Sequence, residues 1–150
     1  MNIEEIAKLM VAKGRGILAA DESTGTMEKR LKSVNVNCTE ENRLHFRETL
    51  FSSASMKSNI SGVILFDETI RQTTMQGEVP FPDFLSGLGV IPGIKVDAGA
   101  KDLAGMDGEK ITEGLDGLDT RLKEYYSLGA RFAKWRAVIS IGDIEPSTTC

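Results

Sequence analysis

Gly16-Ile17-Leu18-Ala19-Ala20-Asp21-Glu22-Ser23-Thr24-Gly25 is the stretch that decides the fold. Its first five residues are apolar on both faces, as strands of a covered parallel sheet are, and they run straight into two carboxylates and two hydroxyls. Three further β-leaning runs occupy residues 62–66, 90–96 and 130–139. Pro92-Gly93 should trim the third, so its strand is expected to begin at Gly93. Counted from Ile17, Val63, Ile94 and Phe132, each interval reaches the roughly 30 residues that a βαβ unit needs. Strand-then-helix units in series imply an α/β fold with a parallel sheet.

Helical patterns fill the gaps. Ile3, Ile6 and Met10 repeat at helical spacing up to Gly14. Thr39 fits an N-cap, with Glu40 and Glu41 in the first turn and Leu44, Phe46, Leu50, Phe51 and Ala54 as the apolar side. Ile111, Leu115, Leu118, Leu122 and Tyr125 form a stripe whose first half Gly114 and Gly117 weaken by ~1 kcal/mol each, so its firm helix should start near Leu118. Lys101, Lys110, Lys123 and the acidic residues around Glu109 read as solvated faces. His45 reads as a helix-surface residue, and Asp67 and Glu68 as pocket groups or loop caps.

Strand alternation puts Asp21 on the face of Ile17 and Ala19, Lys95 with Asp97, and Lys134 and Arg136 with Phe132. One carboxylate and three cations would then converge at the C-terminal ends of parallel strands, where α/β folds bind ligands. The competing explanation is an exposed strand edge with snorkelling lysine and arginine stems. Residues 21–26 lead into a helix and offer hydroxyls and N–H groups to an anion, although taken alone they are better explained by a simple N-cap at Thr26. They lack the glycine spacing of a phosphate-binding loop or a dinucleotide fingerprint.

Composition narrows the function. The 150 residues carry 18 Lys+Arg and 22 Asp+Glu, a net charge of −4, which disfavours a general nucleic-acid or anionic-membrane binder. At 41% hydrophobic and 27% charged, the chain is of ordinary globular composition and expected to be a single domain over residues 1–150. Its apolar runs are far below the ~20 residues of a membrane span, and the first residues lack the basic start of a secretory signal. Cys38 and Cys150 read as cytosolic thiols, and with His45 the single histidine a Cys/His metal site is not expected.

Five ordered strings carry a resemblance: Gly-Ile-Leu-Ala-Ala-Asp-Glu-Ser-Thr-Gly from Gly16, Gly-Val-Ile-Leu-Phe from Gly62, Gly-Ile-Lys-Val-Asp from Gly93, Gly-Leu-Asp-Gly-Leu from Gly114 and Phe-Ala-Lys-Trp-Arg from Phe132. Together they resemble class I fructose-bisphosphate aldolase over about residues 3–146. That resemblance implies a (β/α)₈ barrel of ~250 residues, of which four βα units would be the N-terminal half. It implies reversible cleavage of fructose 1,6-bisphosphate to dihydroxyacetone phosphate and glyceraldehyde 3-phosphate through a lysine Schiff base, without metal or other cofactor. It also implies a homotetramer, while the acidic balance argues against a nucleic-acid or membrane partner and the cysteines point to the cytoplasm.

By the same resemblance Asp21 assists proton transfer around the imine and the C3–C4 bond. Lys134 sits by the C4 oxygen, with Arg136 beside it, and Lys95 lies near the C6 phosphate. Ser23 and Thr26 take phosphate-contacting places, and Arg30 and Arg43 those of substrate-binding arginines. From spacing alone Lys134 could be the nucleophile, but the family places its imine lysine on strand six and its glutamate base on strand five. Thr26 replaces a more usual serine, Asp67 a histidine or glutamate, and residues 147–150 depart from the family pattern. These 150 residues alone are therefore expected to be inactive, and an uncovered half-barrel to self-associate. A non-catalytic phosphate-binding module and a compact doubly wound domain are the alternatives.

Overall fold

The computed structural model describes residues 1–149; Cys150 lies outside the described residues. Helix α1 (Ile3–Met10) opens with a capping box in which Asn2 and Glu5 satisfy each other's backbone N–H groups. Strand β1 (Gly16–Ala20) leads into α2 (Thr24–Ser33). Helix α3 (Glu40–Phe51) follows, its N-cap Thr39 accepting from the Asn42 N–H at 3.1 Å. It ends before Ala54, so that residue is not on the helix's apolar side. Next come α4 (Met56–Asn59), β2 (Ile60–Leu65), α5 (Asp67–Ile70), α6 (Phe81–Gly87) and β3 (Ile91–Lys95). A hairpin of β4 (Gly99–Asp102) and β5 (Lys110–Glu113) precedes α7 (Leu118–Ser127) and β6 (Phe132–Lys134). Among the described residues no helix is long and apolar enough to cross a bilayer.

The main sheet is parallel, in the order β1-β2-β3-β6, and it is open. Strand order thus follows chain order, with no reversal of the kind a doubly wound sheet needs. Helices cover one face, where Phe51, Val63, Leu65, Phe81, Leu85 and Ile94 are buried and the Phe51 and Phe81 rings meet edge to face at 5.3 Å. On the other face Ile17 and Ala19 are exposed, and the Phe132 ring lies across Gly62 and Gly93. A Cβ on Gly93 would fall 2.3 Å from that ring, which is why the strand has glycine there.

Four expectations need correction. Pro92 belongs to β3: its carbonyl accepts from the Arg131 N–H at 2.8 Å, so its nitrogen also faces β6, just ahead of where that pairing begins at Gly93 and Phe132. The missing donor costs no ladder bond. The fourth strand stops at Lys134 because β3 turns away into the hairpin, where the Ala98 N–H donates to the Glu113 carbonyl. Ile111 belongs to β5, not to a helix, and Glu109 is buried, its carboxylate accepting from the Ser147 N–H at 2.7 Å. Gly114, at φ +122°, has room for no side chain, since a Cβ would sit 2.8 Å from the Ala98 nitrogen. That turn breaks the stripe. The helix begins at Leu118, as the sequence suggests.

Candidate active site

Lys134 donates to the Asp21 carboxylate although β6 and β1 are the two outer strands of the sheet. Three strand spacings amount to ~14 Å, too far for two side chains to bridge over a flat surface. The sheet must curl, and the curl encloses a hollow of about 480 Å³ at the C-terminal ends of β1, β3 and β6. Asp21, Ser23, Thr26, Arg30, Lys95, Lys134 and Arg136 all line it, together with Glu22 and Asp97. The exposed-edge explanation fails for Lys134, whose ammonium faces inward onto a buried carboxylate.

Asp97 holds the second pair. Its carboxylate accepts from Lys95 at 2.8 Å, from the Gly99 N–H at 3.2 Å and from the Arg136 N–H at 3.3 Å. Burial pushes this carboxyl up, but Lys95 and the two N–H groups outweigh it and hold Asp97 below the usual carboxylate range. The sequence placed Asp97 on the face of Lys95 without assigning it a role. The same alternation was the signal that could have found it.

The β1–α2 connection supplies hydroxyls. Ser23 is the N-cap of α2, and its Oγ lies 3.2 Å from Thr26 Oγ1. Its side chain makes no cap hydrogen bond, and both hydroxyls line the hollow, which favours the anion-site explanation over a simple cap. Arg30, on the same helix, pairs with Glu22 at 2.5 Å. Arg136 is anchored by its backbone, its carbonyl accepting from Thr112 at 2.8 Å, and among the described residues its exposed guanidinium has no acceptor.

Arg43 is not brought to the hollow. Its guanidinium is committed to Glu68, at 2.9 and 2.5 Å, and to the Cys38 carbonyl at 2.9 Å. The bonds to Glu68 push it above its ordinary range, against the opposing effect of burial. His45 is exposed on α3, and Asp67 accepts from Arg71 and Tyr125 on the helix side.

Arg30, Lys95, Lys134 and Arg136 outnumber Asp21, Glu22 and Asp97, so an acidic chain carries a locally cationic hollow. Both lysine ammonium groups are paired with carboxylates. Such groups can hold an anion or a developing oxyanion, whereas nucleophilic attack needs a deprotonated amine.

A family model for class-I fructose-bisphosphate aldolase matches residues 2–150. A Xanthomonas axonopodis pv. citri protein named probable fructose-bisphosphate aldolase class 1 is 59% identical over 153 aligned residues, which cover 100% of this chain and 46% of that protein. The fructose-bisphosphate aldolase cytoplasmic isozyme of Cicer arietinum is 59% identical over 134 residues, 89% of this chain and 37% of its own length. The Plasmodium falciparum fructose-bisphosphate aldolase, solved in complex with TRAP and a small molecule inhibitor, is 46% identical and superposes with a TM-score of 0.91 over 97% of this chain and 42% of that one. The chain spans about half the length of the curated relatives it matches.

Proposed function

The chain belongs to the class I fructose-bisphosphate aldolase family, and from that premise we propose that it supplies the phosphate-gripping and proton-handling half of an aldolase site. The four-stranded sheet is then half of a (β/α)₈ barrel, and the reaction is the reversible cleavage of fructose 1,6-bisphosphate to dihydroxyacetone phosphate and glyceraldehyde 3-phosphate. The supporting observation is the curl that brings Asp21, Lys95, Lys134 and Arg136 around one hollow.

In this assignment Lys95, with Ser23, Thr26 and Arg30, holds phosphate. Asp21 takes part in the proton transfers around the C3–C4 bond, and Lys134 and Arg136 stabilise negative charge as it develops on the C4 oxygen. The imine-forming lysine and the principal glutamate base belong to strands six and five of the family's barrel. They act from outside these 150 residues. Cytoplasmic location and homo-oligomeric assembly complete the proposal.

Co-expression with the remaining segment of the Xanthomonas relative tests it. The joined halves should cleave fructose 1,6-bisphosphate, and Lys134→Met should lower kcat about 10²–10³-fold, the usual cost of an oxyanion-stabilising group. Borohydride trapping with dihydroxyacetone phosphate should label the added segment and leave residues 1–150 unlabelled. An adduct on Lys95 or Lys134 overturns the assignment. The second reading, an anion-binding module without turnover, draws on the fact that both hollow lysines are already paired. It predicts fructose 1,6-bisphosphate binding to the joined halves with no cleavage.

A further inference from the structure

Arg47 of α3 is fully buried on the helix side of the sheet, yet its bonds lead to the hollow. One of its terminal nitrogens, Nη2, donates to the Glu22 carbonyl at 2.7 Å. The other, Nη1, donates to Glu68 Oε2 at 3.3 Å, and the guanidinium carbon lies 5.8 Å from the centre of the Phe66 ring. Its Nε is buried and finds no acceptor among the described residues. Burial pushes this guanidinium down from its ordinary range, with Glu68 opposing.

A buried arginine with an unmet N–H is a costly way to fill a core, and an apolar side chain of similar volume would usually be no less stable there. What a methionine could not do is grip the Glu22 carbonyl. That carbonyl belongs to the peptide bond between Glu22 and Ser23, which separates Asp21 from the first turn of α2. The Glu22 side chain is held independently by Arg30. Residue 22 is thus clamped at its carbonyl from α3 and at its carboxylate from α2.

We propose that Arg47, oriented by Glu68, is a positioning residue for the site: by fixing the peptide between Glu22 and Ser23 it aims the Asp21 carboxylate and the Ser23 hydroxyl into the hollow. It touches no ligand. Its effect on turnover rests on the aldolase proposal, whereas its effect on the loop does not.

Arg47→Met and Arg47→Lys are the variants to make, with backbone amide exchange and, in the joined halves, kcat as readouts. Lysine keeps the charge but cannot serve Glu68 and the carbonyl through one planar fork. In either folded variant, exchange at residues 26 and 27, whose N–H groups both donate to the Ser23 carbonyl at 2.9 Å, should rise about tenfold or more while residues 95–97 are unchanged, a localised change that a general loss of stability would not give. In parallel kcat should fall about 10–100-fold, as displaced catalytic groups produce, and lysine should not rescue it. Unchanged exchange at residues 26 and 27 in a folded variant overturns the proposal. No turnover even in the unsubstituted joined halves sinks the aldolase proposal and leaves the exchange result standing. Should neither variant fold, the unsubstituted protein decides: its Arg47 Nη protons should give resolved, slowly exchanging resonances with cross-peaks to the Ser23 amide, and their absence overturns the clamp.

Discussion

The two faces of the parallel sheet treat charge in opposite ways. Against the helices, Val63, Leu65 and Ile94 are at most 1% exposed, and the charges that enter that layer, Arg47 and Glu68, are tied to one another and to Arg43 and the Glu22 carbonyl. On the curled face Ile17 is 44% exposed, and lysines stand in pairs beside an Arg136 guanidinium that has no acceptor among the described residues. A dry face must satisfy every charge at the moment of folding. A wet face can keep one in reserve for a ligand. The difference separates residues that hold the molecule together from residues left open to solvent.

Substitutions on the two faces should therefore diverge, most of all in the helix layer. Phe51→Ala removes a fully buried ring from its edge-to-face partner Phe81, and is expected to cost about 3–5 kcal/mol in urea unfolding. A loss below about 1 kcal/mol would mean that this layer is not a packed core. Gly93→Ala, on the curled face, drives a methyl into the Phe132 ring; the ring is only half-buried and can shift, so the cost should stay at about 1–3 kcal/mol. A cost matching that of Phe51→Ala would erase the contrast between the faces.

Acid sharpens the comparison further. The folded pKa of Asp97 lies below its unfolded value, so its contribution to stability is complete above about pH 4 and is lost as the pH falls through the depressed value. Glu68 has the same sign, chiefly from its hydrogen bonds with Arg43. Urea titrations across the acid range should show a shallower loss of stability in Asp97→Asn than in the parent chain. An equally steep loss would locate the acid sensitivity elsewhere. The smallest effect belongs to the solvated surface: the Asp119–Lys123 pair is 2.7 Å long but about four-fifths exposed at both ends, and Lys123→Ala should change stability by less than about 0.5 kcal/mol.

Much of this was legible in the letters, and what was not has a common cause. Alternation along single strands placed Asp21, Lys95, Lys134 and Arg136 on one side, because a side chain's face depends only on its own strand. Local periodicity could not report which strand lies opposite which. It therefore extended the fourth strand past the point where its partner departs, and counted Ile111 with a helix when it belongs to a hairpin. The commitment of Arg43 to Glu68 was invisible for the same reason, since Glu68 lies 25 residues further on. Arg47 carried no local signal at all, sitting in a charged helix whose burial comes entirely from distant elements.

The Lys134–Asp21 pair joins residues 113 positions apart, so it carries a large loop-closure cost and can form only after every intervening strand has docked. The pair is thus a late event in the folding of these residues, and its formation can serve as a clock for the curling of the sheet.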